Sequence, residues 1–211
     1  MELFLLSVFA VAVAEIGDRS MFLAALFGLR CHRLWPVFWG MVAGLFANQL
    51  LSAVAGVWLF SVIDTDWHLW LVAIAFLAMA VWVLIPEDDE DGVPENPCAR
   101  SLFFTAATTF FLFEMADKTQ LAVVALAGAS GNLVPVVLGA TLGILLITVP
   151  GLLLGRRFAE RMPVRTLRWF AAALFLLIGL WSLLEALGWM PELGLPDFSG
   201  ALLEAAGRSG D

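Results

Sequence analysis

Six apolar runs, each long enough to cross a bilayer, limit this chain more than any other feature. They are Leu3–Leu29, Leu34–Val62, Trp67–Ile85, Leu102–Gly128, Leu133–Gly155 and Leu167–Leu187. A crossing helix needs about 20 mostly apolar residues. Hydrocarbon offers no partner to a bare N–H or C=O, so each run must satisfy its own backbone, and a helix is the expected form. Composition agrees: 62% of the 211 residues are hydrophobic and 14% are charged, against about a quarter charged in a soluble domain. That excludes an ordinary soluble enzyme and a disordered chain. The formal net charge of −8 leaves no positive surplus to meet phosphates, which excludes nucleic acid as a partner. The first run has no basic start and extends too far for a cleaved signal peptide, so it is expected to be a retained span.

Basic residues set orientation. Arg30, Arg33, Arg100, Arg156, Arg157, Arg161, Arg165 and Arg168 follow the first, third and fifth runs, whereas the opposite side holds only Arg208. Both termini are therefore expected on the non-cytoplasmic side. Cys31 and Cys98 then face the cytoplasm, where thiols stay reduced. Trp35, Trp58, Trp67, Trp70, Trp169 and Trp189 fall near span ends, as interfacial anchors do.

A shift of 99 residues overlays the first half on the second without a gap. Phe4 falls on Phe103, Glu15 on Glu114, Asp18 on Asp117, Arg19 on Lys118 and Ser20 on Thr119. Pro36 meets Pro135, Gly40 meets Gly139, Gly44 meets Gly143, Trp70 meets Trp169 and Phe76 meets Phe175. Each copy holds three runs, an odd number, so the second copy enters the membrane upside down. The expected fold is an all-α integral membrane protein of six transmembrane helices, arranged as two inverted three-helix repeats. Its expected divisions are a first repeat at 1–86, an acidic cytoplasmic linker at 87–99, a second repeat at 100–187 and a tail at 188–211. Inverted repeats of this kind build many secondary transporters, with the substrate site near the midplane. The paired glycines suit close helix packing in lipid.

The charges inside the runs carry the chemistry. The first run contains Glu15-Ile16-Gly17-Asp18-Arg19-Ser20, and the fourth contains Glu114-Met115-Ala116-Asp117-Lys118-Thr119-Gln120. A charge at the bilayer centre costs about 2.5–3.5 kcal/mol even on insertion scales. On a continuous helix Glu15, Asp18 and Arg19 share a face, as do Glu114, Asp117 and Lys118. Glu15–Arg19 and Glu114–Lys118 have the spacing of simple salt bridges. Alternatively, the two copies aim four carboxylates at one point, with Gly17 permitting a close helix contact or a local break, Ser20, Thr119 and Gln120 adding neutral oxygens if the helices unwind or rotate slightly there, and Arg19 and Lys118 partly neutralising them. Oxygen donors favour hard cations such as calcium, magnesium and manganese. Neither cysteine lies in a run, and His32 and His68 lie in loops or at a border, which disfavours a zinc or copper site. Four carboxylates and two cationic side chains sum to −2. One divalent cation or two protons bring the cluster to neutrality, which is the basis for cation/proton exchange. Asn48, Gln49 and Thr148 are candidates for an ion path or for hydrogen bonds between helices. The acidic run Glu87–Asp91 reads as a solvated linker.

At the duplicated motif the chain resembles uncharacterised protein family 0016, the family of the Golgi and chloroplast calcium/manganese–proton exchangers and of bacterial manganese exporters. The resemblance runs from Leu3 to about Leu187. It implies cation/proton antiport, with Glu15, Asp18, Glu114 and Asp117 in the family's acidic binding positions, Ser20 and Thr119 in its hydroxyl position, and Gln120 matching a Gln that often follows. Ala116 stands where the motif usually has Gly, and Met21 replaces the counterpart of Gln120. The expected function is exchange of a divalent cation for protons, manganese first and calcium second, exporting the metal from the cytoplasm. The metal is cargo, and no resident cofactor is expected. The partners are the cation and membrane lipid. The short chain without a targeting extension suggests a bacterial inner membrane. The rivals are an intramembrane acid–base enzyme using paired carboxylates, and a cation channel without proton coupling.

Overall fold

A computed structural model describes residues 1–16, 18–63, 67–85, 101–115, 117–154 and 164–188. These residues form eight helices and nothing else of regular structure: α1 (Glu2–Glu15), α2 (Arg19–Arg30), α3 (Leu34–Val62), α4 (His68–Trp82), α5 (Leu102–Phe113), α6 (Lys118–Ser130), α7 (Leu133–Leu154) and α8 (Val164–Ala186). The acidic linker, the loop arginines Arg100, Arg156, Arg157 and Arg161, and the tail beyond 188 lie outside the described residues. Among the described residues three stretches are long and apolar enough to cross a bilayer alone, Leu34–Val62, Leu133–Leu154 and Arg168–Ala186.

The first and fourth apolar runs are not the continuous helices expected of them. Each is broken at its charged motif, between α1 and α2 and between α5 and α6. Hydropathy cannot register such a break, because its flanks are as apolar as any span. The carboxylates that flank each break, Glu15, Asp18, Glu114 and Asp117, are buried in protein rather than bared to lipid. Asp18 and Asp117 stand at the starts of α2 and α6 in nearly the same extended conformation, φ −87°, ψ 164° and φ −92°, ψ 165°. Asp is favoured at that position. Pro36 and Pro135 sit in the first turns of α3 and α7, where a missing N–H costs no helical bond.

The two halves are interlocked. The leading partner of α1 is α7 and that of α5 is α3; likewise α2 lies on α7 and α6 on α3, while α4 pairs with α8 and α3 with α7. Each half thus lays its broken helix on the long helix of the other. Glycines permit the approach. A Cβ on Gly139 would stand 2.7 Å from the Phe4 carbonyl oxygen, and one on Gly143 2.7 Å from that of Val8. The related glycines, Gly40 and Gly44, meet the carbonyls of Phe103 and Ala107, residues 99 positions beyond Phe4 and Val8. Outward faces carry exposed Trp35, Trp58, Leu146, Trp169 and Leu177, which suits lipid as solvent. His68 Nε2 shares its contact between the Phe60 and Ile63 carbonyls at 2.8 and 3.0 Å, tying the start of α4 to the end of α3. Cys31 closes α2 and is disulfide-bonded, not the reduced thiol expected of it; Cys98 lies outside the described residues.

Candidate cation site

The two helix breaks meet. Glu15 ends α1, Glu114 follows α5, and Asp117 precedes α6; one carboxylate oxygen from each lies within 4.8 Å of the other two. All three are buried, at 0, 1 and 3% exposure. Asp18 is as buried as Asp117, and its Oδ1 accepts from Lys118 Nζ at 2.6 Å. Lys118 also stands 3.9 Å from Asp117 Oδ1. A single ammonium therefore lies between the aspartates of the two copies. Spacing alone offered Lys118 to Glu114 within one helix; the break instead carries it across to Asp18 of the other half.

Hydroxyls span each break. Ser20 Oγ donates to Glu15 Oε1. Thr119 Oγ1 donates to Glu114 Oε2 at 3.1 Å and has Asp117 Oδ2 as a longer alternative at 3.4 Å. Equivalent residues thus play equivalent parts, a serine or threonine reaching back five positions to a glutamate. The first turns of α2 and α6 bring positive helix ends to this point, the broken-helix arrangement that transporters use to hold ions. Glu15 Oε2 and Asp117 Oδ1 are buried without a hydrogen-bond donor. Buried acceptors are seldom left so, and a cation or a proton would satisfy both.

The remaining candidates divide. Gln120 Nε2 donates to Asn48 Oδ1 at 3.0 Å, and Asn48 Nδ2 donates to the Phe111 carbonyl at 3.0 Å, which joins α3 to both α5 and α6. Thr148 Oγ1 donates to the Ile144 carbonyl of its own helix. Gln49 is fully buried, and neither of its amide atoms has a partner. Arg19, the counterpart of Lys118, is half-buried. The sequence reading allows a slight unwinding at the motif but expects continuous spans, not two separate helices in each copy. The sign of the break was present in both copies as an Asp, a residue favoured just before a helix begins.

Comparison with known proteins follows the same outline. Residues 3–91 and 102–189 each match the family described as Divalent cation/proton antiporter GDT1, so the family's domain occurs twice. The chain is 36% identical over 181 residues to a Vibrio cholerae protein named "Putative manganese exporter", covering 85% of this chain and 90% of that one. It is 28% identical over 192 residues to GDT1-like protein sll0615 of Synechocystis, covering 82% and 92%. GDT1-like protein 5 of Arabidopsis thaliana is 26% identical over 209 residues, covering 82% and 91%. No solved structure matches the chain.

Proposed function

The chain belongs to the GDT1 family of divalent cation/proton antiporters, and on that premise we propose that Glu15, Glu114 and Asp117 form the site where the cation and protons compete. It is a transporter and not an enzyme, which sets aside the hydrolytic rival. The observation that carries the site is the convergence of three buried carboxylates from two repeats at two helix breaks. Asp18 completes the acidic set and is balanced by Lys118, while Ser20 and Thr119 hold the glutamates in place. Arg19 supplies the second positive charge of the net −2 balance. A divalent cation or two protons neutralise that balance, and a neutral load avoids placing an uncompensated charge in the barrier.

The broken pairs α1–α2 and α5–α6 each count as one crossing. With α3, α4, α7 and α8 this makes six, which we read as two inverted repeats; their interlocked packing supports a site where the copies meet. Manganese is our first choice of cargo and calcium the second. The site offers only oxygen donors, which suit both, and the name of the V. cholerae relative favours the former. Export from the cytoplasm, with both termini outside and the chain in a bacterial inner membrane, is the accompanying reading.

Flux of a panel of divalent ions into proteoliposomes under an imposed pH gradient tests this. The expected result is manganese and calcium movement that needs the gradient and that Glu114→Gln abolishes. Unchanged flux in that variant would remove the site.

A further inference from the structure

The flanks of the carboxylate cluster are chemically unlike, although the repeats relate them. On the α3 and α6 side stand Asn48, Gln49 and Gln120. Their counterparts on α7 and α2, 99 positions away, are Ile147, Thr148 and Met21. Met21 is fully buried, and the Thr148 hydroxyl is spent on its own helix. One flank is thus rich in amides and the other nearly apolar.

Within the amide flank Gln49 stands out. It is 0% exposed, and both its oxygen and its nitrogen lack a partner. A buried amide left so is costly, more so in a span surrounded by hydrocarbon. Its level in the fold is fixed by its neighbour. Asn48 is bonded to the carbonyl of Phe111, in the last turn of α5 before Glu114, and to Gln120, whose backbone N–H bonds to the Asp117 carbonyl at 3.1 Å. Asn48 therefore sits level with the α5–α6 break. Gln49 follows it on α3, about 1.5 Å along the axis, and so lies at nearly the same level.

Taking the carboxylate site above as given, we propose that Gln49 Oε1 is a neutral ligand for the divalent cation in transit, replacing one of its waters as it reaches or leaves the carboxylates. An amide oxygen is an ordinary ligand for such a hard cation, and the amide gains the partner that the ion-free arrangement withholds. It follows that the cation passes by the α3–α6 flank and not by the α2–α7 flank, where Met21 and Ile147 offer no oxygen.

The test uses the full chain in proteoliposomes, with Mn2+ as the probe and a pH gradient as the drive. Gln49→Met keeps the length of the side chain and removes the amide. It is expected to raise the half-saturating Mn2+ concentration about tenfold or more, to leave maximal flux within a few-fold, and to unfold no earlier than the parent in a thermal melt. Gln49→Asn, which keeps a shortened amide, is expected to fall between the two. A half-saturating concentration unchanged in Gln49→Met overturns the proposal, whatever the melt shows. Should that variant fail to fold, Gln49→Thr, the residue of the related position, is read in the same way. Glu114→Gln runs alongside: if it transports normally, the carboxylate reading itself fails, whereas its loss together with a normal Gln49→Met sinks only the amide ligand.

Discussion

Lys118 shows how tightly the charges at the two breaks depend on one another. It is buried, and it holds Asp18 at 2.6 Å and faces Asp117 at 3.9 Å. Lys118→Met removes the ammonium from a carboxylate that is itself 3% exposed. Stripping one partner from such a pair costs about 3–5 kcal/mol, which a thermal or denaturant melt in detergent would register as a large loss. Adding Asp18→Asn is expected to recover most of it while leaving exchange impaired. Glu15→Gln should keep the Ser20 contact and the fold but weaken cation binding by roughly ten- to a hundredfold, measurable by Mn2+ titration of the purified protein. The identities of these residues were legible because charges inside apolar runs have few innocent explanations. Their pairing was not. It depends on the backbone leaving the helix at the two breaks, and a helical wheel drawn through them does not bring Lys118 to Asp18 of the other copy.

The broken helices are the elements that turn a motif into a site. A continuous helix would keep Glu15 and Asp18 on one face, each side chain competing for the same approach. With the helix interrupted, Glu15 ends one segment, Asp18 opens the next, and the corresponding break in the other copy comes close enough for three carboxylates to share a point. The elements that the two breaks share are the aspartate at the helix start and the hydroxyl that reaches back to the glutamate. The glycine pairs set how near the copies can come. Gly44→Ala is expected to destabilise the protein by about 1–3 kcal/mol by overpacking against the Ala107 backbone. Gly143→Ala, whose new Cβ would have slightly more room against Val8, is expected to cost less. Melting temperatures of the two variants check the order. These packing roles were legible from the repeated four-residue spacing, whereas the identity of the partner helix was not, since spacing within one helix says nothing of what lies across from it.

At the scale of the molecule, the halves cannot be expected to stand alone. The broken helix of each lies on the long helix of the other, so a polypeptide of residues 1–99 should be unstable by itself. Co-expressed with residues 100–211, it is expected to restore transport, and a tagged half should copurify with its partner. The duplication was fully legible in the sequence as a constant offset of 99. The exchange of partners was not, because a repeat fixes which residues are equivalent and leaves open which copy each one touches. Orientation carries its own consequence. If the basic loops face the cytoplasm as proposed, the Cys31 disulfide would stand in a reducing compartment, so alkylation of protein from rapidly denatured cells is expected to label Cys31, and protein purified in air is expected to lose that label. The central claim is that one divalent cation and two protons take turns at a single carboxylate cluster. The most direct measurement records Mn2+ and H+ fluxes together in proteoliposomes whose membrane potential is clamped at different values. The account predicts two protons moving against each Mn2+, at a rate that follows the pH gradient and ignores the potential. Mn2+ movement without counter-moving protons would contradict it.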